Sequence, residues 1–163
     1  MQTILNHEDI QNKIRRIAHQ IYESNADEKE IILAGISKNG FVIAQRLKLI
    51  IEKIADIECQ LCEITMDKNA PLGTVKASLS AEIYKDKCIV LIDDVLNSGT
   101  TLIYGVKYFL DVPLKKFKTA VLVNRNHKKY PVKADFKGIS LSTSLNERVK
   151  VRLSPDNDIA FLE

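Results

Sequence analysis

The stretch IVLIDDVLNSGTT, residues 89–101, combines side chains that could bind a phosphorylated sugar. An apolar run leads into the adjacent aspartates Asp93 and Asp94, and a turn of Ser, Gly and Thr residues follows at once. Two neighbouring carboxylates directly after a buried strand are unfavourable without a partner, and the hydroxyl groups of a sugar would be suitable partners. The turn opens a predicted helix, whose N-terminus offers free backbone N–H groups and a positive dipole end to an anion.

The residue types of the turn also suit a phosphate. Gly99 lets the backbone approach a ligand closely, and hydroxyls from Ser98, Thr100 and Thr101 add donors. The sequence lacks both the GxxxxGK[ST] pattern of a P-loop and a GxGxxG after the first buried strand. The alternative is that these residues only cap a helix and end a strand, but the combined pattern favours a ligand site.

Predicted strands and helices alternate along the chain and would place this stretch at one edge of a sheet. Apolar periodicity predicts helices at residues 8–24, 40–54 and 100–110, the first capped by Asn6. Buried strands are predicted at residues 31–36, 58–65, 88–93 and 119–123. Residues 37–39 read as a turn, residues 66–80 as a long loop or loose hairpin, and residues 149–153 and 159–162 as strands of a smaller appendage. The order predicts an α/β fold with a central, mostly parallel sheet flanked by helices.

Length and composition predict one soluble domain over residues 1–163. No apolar run is long enough to span a membrane, and the N-terminus lacks the features of an export signal, so we expect a cytoplasmic protein. Cys59, Cys62 and Cys88 are expected to be reduced and buried, because residues three apart in a strand point to opposite faces. No second Cys or His pair stands at zinc spacing, which argues against a structural zinc site.

The net charge of +3 is distributed unevenly. Residues 115–152 contain eleven Lys or Arg residues against two acids, so the rest of the chain is acidic. This distribution suggests an anionic ligand or partner, which could be a nucleic acid. A solvated, lysine-rich surface is the alternative for these residues taken singly.

Four hydrophobic residues, two acids, two apolar residues, a variable position and then Ser-Gly-x-Thr resemble the phosphoribosyl-pyrophosphate signature of type I phosphoribosyltransferases. Residues 33–47, LAGISKNGFVIAQRL, resemble the pyrophosphate-loop strand and helix of that family. Residues 16–25 and 120–153 are similar to the subfamily of bifunctional pyrimidine-operon attenuation regulators and uracil phosphoribosyltransferases. The resemblance implies the type I phosphoribosyltransferase fold, with a small hood from the two termini to which residues 138–153 contribute most.

The resemblance implies a role for each candidate residue. Asp93 and Asp94 would hold the ribose hydroxyls and a magnesium ion that bridges ligand oxygens. The proposed 5′-phosphate loop consists of Asn97, Ser98, Gly99, Thr100 and Thr101. The proposed pyrophosphate loop consists of Ser37, Lys38, Asn39 and Gly40. Arg125 would lie near the pyrophosphate or the base, and residues 139–144, including Ile139, Ser142 and Thr143, would cover the base. The residues implied to act in catalysis are Asp93, Asp94, Lys38 and Arg125.

The implied reaction transfers a phosphoribosyl group from phosphoribosyl pyrophosphate to a pyrimidine, uracil in particular, and yields a nucleotide and pyrophosphate. Lys38 and backbone N–H groups would stabilise the charge on the departing pyrophosphate. Counted from the first acid of the signature, the fifth residue is an acid in family members that act on 6-oxopurines. In this chain that variable position is Asn97. Because an amide cannot serve as an acid or base, the sequence favours a pyrimidine over hypoxanthine or guanine.

The alternative function is an RNA-binding attenuation regulator that senses a nucleotide or phosphoribosyl pyrophosphate, with weak or no catalysis. Arg15 and His19 lie four residues apart on one helix face and could contact RNA phosphates. The aromatic content of 6% offers few stacking platforms for single-stranded RNA.

The chain departs from the family pattern at two places. Residues 66–80 contain only Asp67, Lys68 and Lys76 as charges, fewer than the family's closing loop. Asn124 and Asn126 stand where an acid and a glycine are expected around Arg125. The sequence therefore leaves open whether the loop supports turnover, which base is accepted and whether RNA is bound. A homodimer is implied by the resemblance alone.

Overall fold

A computed structural model describes residues 1–67, 69–125, 127–144 and 146–163 of the chain. The helices are α1 (His7–Ser24), α2 (Ser37–Ile54), α3 (Ala81–Tyr84) and α4 (Thr100–Phe109). The strands are β1 (Gln2–Leu5), β2 (Glu30–Ile36), β3 (Glu58–Thr65), β4 (Lys76–Ala77), β5 (Cys88–Leu96), β6 (Lys116–Arg125), β7 (Phe136–Leu141), β8 (Val149–Arg152) and β9 (Ile159–Leu162). Lys68 and Asn126, which the sequence singled out, lie outside the described residues.

Six strands form the central sheet in the order β4-β3-β2-β5-β6-β7. Neighbouring strands run parallel except for β4, which folds back antiparallel onto β3 as a short hairpin. Side chains of α1 and α2 pack with one face of the sheet, and those of α3 and α4 pack with the other. The central strands are apolar almost throughout because both of their faces are covered. The predicted α/β fold with a mostly parallel sheet is confirmed.

Cys59 and Cys62, three residues apart in β3, lie on opposite faces of the sheet. Cys59 belongs to the core beneath α1 and α2, whereas Cys62 belongs to the core on the opposite face of β3. Burial raises the pKa of Cys59 to about 12, so its thiol stays protonated at neutral pH. All three cysteines are free and buried, as the sequence predicts.

A separate antiparallel sheet, β1-β9-β8, forms the hood. Of residues 138–153, which were expected to contribute most of the hood, β8 belongs to this sheet. Strand β7 instead pairs in parallel with β6 at the edge of the central sheet, because Phe136 and Ile139 pack against the core. The other two strands of the sheet, β1 and β9, come from the two ends of the chain, and of these only β1 was not predicted as a strand.

The hood is fastened to α1 and α2 through the buried carboxylate of Asp158, which is 1% exposed. Arg46 donates to its two oxygens at 2.6 and 2.9 Å, Gln11 donates at 2.7 Å, and the backbone N–H of Ser154 donates at 2.9 Å. Burial by itself would raise the pKa of Asp158, but the hydrogen bonds from Arg46 and Ser154 hold it below its usual value. The charged carboxylate therefore fixes the segment between β8 and β9 against the helices.

Within the described residues, none of the helices combines the length and the apolar character that crossing a bilayer requires.

Candidate functional site

A cavity of about 770 Å³ opens at the carboxyl ends of β5 and β6. This is where ligands bind in open α/β sheets, because the loops that follow the strands gather there. Its described lining consists of Asn69, Pro71, Asp93, Asp94, Val95, Leu96, Asn97, Ser98, Gly99, Thr100, Thr101, Leu102, Arg125, Arg148, Val149 and Lys150. The structure thus brings the whole 93–101 stretch together with Arg125 around one space.

Strand β5 continues to Leu96, so both aspartates lie inside it, whereas the predicted strand, residues 88–93, ended at Asp93. Asp93 is 2% exposed and accepts the backbone N–H of Asp94 at 2.9 Å, while Asp94 is half-buried and accepts the N–H of Val95 at 2.8 Å. Asn39 donates to the second carboxylate oxygen of Asp94 at 2.9 Å. These contacts hold both carboxylates at the cavity wall in fixed orientations.

Residues 97–101, the proposed 5′-phosphate loop and called the phosphate loop below, end in a helix N-terminus whose N-cap Gly99 has no side-chain hydrogen bond. Gly99 has a left-handed φ of 87°, and a Cβ at this position would lie 2.7 Å from Cγ1 of Val132. The hydroxyls of Ser98 and Thr100 share a hydrogen bond of 2.8 Å, and the carbonyl of Ser98 accepts the N–H of Lys129 at 2.7 Å. The backbone N–H of Thr100 donates to Ser98 Oγ at 3.3 Å. The N–H groups and hydroxyls of this ordered turn are of the kind that suits a phosphate.

The predicted turn at residues 37–39 is absent, because α2 begins at Ser37 directly after β2. The chain changes direction at Ser37 itself, which has a left-handed φ of 58°. Lys38 is exposed. Gly40 is buried against β5, where an added Cβ would lie 2.7 Å from the carbonyl oxygen of Ile92. None of the described residues that line the cavity comes from this helix start. Asn39 is connected to the cavity only indirectly, by its hydrogen bond to the lining residue Asp94.

Arg125 is 3% exposed and connects three parts of the site. Its Nε donates to Thr143 Oγ1 at 2.8 Å, and its Nη1 donates to Asn97 Oδ1 at 3.1 Å. Its Nη2 donates to the carbonyls of Ser144 at 3.1 Å and Glu147 at 2.7 Å. These four bonds tie the end of β6 to the phosphate loop and to residues 143–147, so protein acceptors already occupy most of the guanidinium donors.

Arg125 also fixes the amide of Asn97. A guanidinium can only donate hydrogen bonds, so the oxygen of the Asn97 amide must face Arg125. The NH2 group of the same amide then points away from Arg125, and Asn97 lines the cavity. The sequence singled out both residues but gave no sign that they contact each other.

The remaining predicted residues lie outside the cavity lining. Ile139 is half-buried in β7 against the core, Ser142 is exposed, and Thr143 contacts Arg125. Arg15 and His19 are exposed on α1, as their spacing suggested. None of these five residues is among the described residues that line the cavity.

Sequence reasoning missed the part of the lining formed by Val149 and Lys150 of β8 and by Arg148, which directly precedes this strand. The alternation of basic residues and valines from 148 to 152 predicts a strand with one basic face. Which surface that face covers depends on how the hood packs, and the local pattern carries no signal for this.

Comparisons with known proteins agree with this geometry. Residues 1–154 match the phosphoribosyl transferase domain family. The chain belongs to the phosphoribosyltransferases. It is 35% identical to the bifunctional protein PyrR of Alkaliphilus metalliredigens over 92% of this chain and 87% of that protein. It is also 35% identical to the bifunctional protein PyrR of Haemophilus ducreyi, over 91% of this chain and 88% of that protein.

Solved phosphoribosyltransferase structures share the fold. A hypoxanthine-guanine phosphoribosyltransferase from Bacillus anthracis superimposes with a TM-score of 0.77 at 21% identity, covering 100% of this chain and 97% of that one. The hypoxanthine phosphoribosyltransferase from Trypanosoma cruzi complexed with IMP gives a TM-score of 0.80 at 16% identity, with 100% and 90% covered. The predicted family and fold class are confirmed.

Phosphoribosyltransferases generally use Mg²⁺ with phosphoribosyl pyrophosphate, and the donor set of this cavity fits such an ion. The described residues contain no cluster of three or more His, Cys, Asp or Glu side chains that could cage a metal. Mg²⁺ is commonly held by one or two carboxylates together with substrate phosphates and water. Asp93 and Asp94 provide that number of carboxylates beside the phosphate loop.

Proposed function

We propose that this phosphoribosyltransferase transfers the phosphoribosyl group of phosphoribosyl pyrophosphate to a pyrimidine base, uracil in particular, and releases a nucleotide and pyrophosphate. The observation that carries the proposal is the shared cavity of two carboxylates and an uncapped helix start. A phosphorylated ribose presents hydroxyls and a phosphate to these two kinds of group at once.

Each part of the cavity has a distinct task in this proposal. The phosphate loop binds the 5′-phosphate, and Asp93 and Asp94 accept hydrogen bonds from the ribose hydroxyls. The sugar becomes positively charged in the transition state, so the two carboxylates stabilise it, and no covalent protein nucleophile is required. A magnesium ion, when bound with the donor, would neutralise charge on the pyrophosphate group.

The orientation of Asn97 supports a pyrimidine acceptor. Its NH2 group can donate to a ring carbonyl oxygen, which uracil and the 6-oxopurines both offer, but it cannot accept a proton from a purine ring, so only the purine loses an interaction. The resemblance of residues 120–153 to the uracil-specific subfamily points the same way. Arg125 keeps the amide in this orientation through its bond to Oδ1.

A panel of acceptors tests the proposed function. Purified protein is incubated with phosphoribosyl pyrophosphate, Mg²⁺ and one of uracil, orotate, hypoxanthine, guanine or xanthine, and nucleotide formation is measured. We expect uridine monophosphate from uracil. Activity with a purine alone would overturn the pyrimidine assignment.

We propose RNA-binding attenuation control as a second function, because Arg15 and His19 are exposed side by side on α1 and several relatives are named bifunctional. Phosphate contacts release counterions, so affinity for a pyrimidine-operon leader transcript should fall steeply with salt, and that for a control transcript should be weaker. Arg15→Gln with His19→Gln should weaken leader binding and leave nucleotide formation unchanged. No detectable binding at low salt would remove this function.

We further propose that the protein acts in the cytoplasm as a homodimer, as the resemblance implies. Light scattering during gel filtration measures the assembly directly, and a mass near 18.4 kDa would identify a monomer.

A further inference from the structure

A second cavity, of about 350 Å³, lies between α4 and the loop that connects β3 to β4. Its described lining, called the α4 pocket below, includes Pro71, Leu72 and Val75 of the loop. On the side of α4 it includes Tyr104, Lys107, Tyr108 and Asp111. The volume falls in the usual range of small-molecule pockets, about 300–1,000 Å³. The pocket is therefore large enough to bind a ligand of its own.

The four residues on the α4 side form one row along the helix. Tyr104, Lys107, Tyr108 and Asp111 are three or four residues apart, the spacing at which helical side chains are neighbours. Asp111 lies just beyond the end of α4 at Phe109. The row combines two aromatic rings with one ammonium group and one carboxylate.

Neither charge of this row is neutralised by a described residue. Among the ion pairs between described residues, none involves Lys107 or Asp111. Lys107 Nζ lies 5.7 Å from the centroid of the Tyr104 ring. Asp111 follows the C-terminus of α4, where the negative end of the helix dipole disfavours a carboxylate. Helix stability therefore accounts for Lys107 but not for Asp111, whereas a ligand with a hydrogen-bond donor would account for both.

The groups of the α4 pocket suit an uncharged, planar heterocycle. Such a ring can stack on tyrosine, as nucleic-acid bases stack on aromatic side chains. Asp111 can accept a hydrogen bond from a ring N–H, and Lys107 can donate one to a ring carbonyl oxygen. A phosphate group would be attracted by one cation but repelled by the carboxylate, so the lining favours a nucleoside over a nucleotide. An apolar cavity of about 150 Å³ holds benzene, so this larger pocket has room for a ring and a sugar.

One loop borders both cavities. Pro71 belongs to the described lining of the α4 pocket and to that of the first cavity, which contains Asp93, Asp94 and the phosphate loop. Leu72 is 78% exposed, so an occupant of the α4 pocket would also cover apolar surface. A ligand that contacts the loop here would therefore influence one side of the first cavity.

We propose that the α4 pocket is an effector site for a pyrimidine nucleoside whose ring N–H lies beside carbonyl groups, as in uridine. The ring packs on Tyr104 and Tyr108, Asp111 accepts the ring N–H, and Lys107 donates to a neighbouring carbonyl. Because ring atom N1 of a nucleoside already carries a ribose, the ligand cannot be an acceptor in the proposed transfer. Binding changes the affinity of the first cavity for phosphoribosyl pyrophosphate through the shared loop. Only this coupling rests on the proposed function.

Equilibrium dialysis of radiolabelled uridine tests the site in the wild type, Lys107→Met, Asp111→Ala and the double variant. We expect saturable binding by the wild type and an affinity about tenfold lower in each single variant, since a hydrogen bond to a charged group is lost. A second probe, 3-methyluridine, keeps the ring and the sugar but lacks the N–H. It should bind the wild type more weakly than uridine does, and Asp111→Ala should not weaken it further.

Lys53→Met and Asp56→Ala are the matched controls. Both residues are exposed near the end of α2, and neither belongs to the described lining of either cavity. These changes remove the same charges close to a helix C-terminus and should leave the affinity for uridine unchanged. Thermal melts verify that all variants are folded, as expected for exposed positions.

Titration of phosphoribosyl pyrophosphate with Mg²⁺, in the presence and absence of saturating uridine, measures the coupling. We expect uridine to change this affinity in the wild type by about fivefold or more. In the Lys107→Met, Asp111→Ala double variant uridine should have no effect. The affinity of that variant for phosphoribosyl pyrophosphate alone should equal that of the wild type.

Three results would overturn the effector site. They are the absence of saturable uridine binding by the wild type, wild-type affinity for uridine in the double variant, and an affinity for phosphoribosyl pyrophosphate that uridine does not change. A wild-type protein that binds uridine as expected but no phosphoribosyl pyrophosphate would instead overturn the proposed function and the coupling, while the nucleoside site would stand.

Discussion

Asn97 differs from the other residues of the phosphate loop because Arg125 fixes the orientation of its side-chain amide. The amide can therefore offer hydrogen-bond donors, but not its oxygen, to a ligand. The bond from Arg125 occupies the amide oxygen and leaves two N–H donors for a ligand. The same position filled by a carboxylate would present only acceptors. With an amide at this position, the group that could receive a proton from a purine ring is absent.

Asn97→Asp tests this separation. We expect kcat/KM with uracil to fall by about tenfold or more, because the donors to the base are replaced by a charged acceptor. The ratio of activity with hypoxanthine to activity with uracil should rise. Steady-state kinetics with both bases measure the change, and a kcat/KM for uracil within about twofold of wild type would contradict the assigned role.

Individual site residues were predictable where the local pattern itself carries the chemistry. Asp93, Asp94 and residues 97–101 line the cavity, and their types and spacing in the sequence already indicated a phosphorylated sugar. The partners of Arg125 were not predictable, because Asn97 and Thr143 lie on separate segments that meet only in the folded protein. Lys38 shows the converse, since a basic residue next to a strand end proved to be exposed and outside the lining.

At the scale of elements, the start of α4 depends on one backbone conformation. Gly99 adopts a left-handed φ of 87° immediately before Thr100, and Val132 fills the space beside it. A side chain at this position would meet both a backbone penalty and a steric contact. The loop can therefore present its N–H groups to a phosphate only while residue 99 lacks a Cβ.

Gly99→Ala should weaken uridine monophosphate binding and destabilise the fold by about 1–3 kcal/mol, the usual range for a strained backbone position. Calorimetric titration and urea denaturation measure the two effects. Gly73→Ala, at a glycine without a left-handed φ, is the control and should leave nucleotide affinity unchanged. Equal nucleotide affinity in Gly99→Ala and wild type would show that the loop does not bind the phosphate.

The types of the elements were predictable because buried strands and amphipathic helices have distinct patterns of apolar residues. The residues at which the elements begin and end were less predictable. Residues 37–39, predicted as a turn, form the first turn of α2 instead. The change of direction from β2 to α2 takes place at a single residue, Ser37, which has a left-handed φ. Strand β5 runs on past both aspartates because it pairs with β6 as far as Leu96 and Asn124. The hood needed β1, whose short sequence carries no clear period and forms a strand by pairing with β9.

At the scale of the whole molecule, Asp158 joins the hood to the body that carries the phosphate loop. Its charged side chain accepts hydrogen bonds from Arg46 of α2 and Gln11 of α1, so this one carboxylate links both helices to the β8–β9 connection. Strand β8, which precedes this connection, contributes Val149 and Lys150 to the described cavity lining.

Asp158→Asn should lower the free energy of unfolding at pH 7 by about 3 kcal/mol, because it leaves the Arg46 charge without its partner. The pKa of Asp158 is lowered in the folded state, so the stabilisation is fully present above the unfolded pKa, about 4. It is lost as the pH falls through the lowered folded value. Urea denaturation at several pH values measures the difference between wild type and variant, and a difference that does not shrink in acid would contradict this account.

The central claim is that the cavity around Asp93, Asp94 and the phosphate loop binds phosphoribosyl pyrophosphate. Calorimetric titration of this ligand with Mg²⁺ into wild type and into the Asp93→Asn, Asp94→Asn double variant tests it most directly, with thermal melts to verify folding. The account predicts clear binding to the wild-type protein and none detectable to the double variant, because the ribose hydroxyls and the metal lose both carboxylates. Binding to the double variant as tight as to wild type would contradict it.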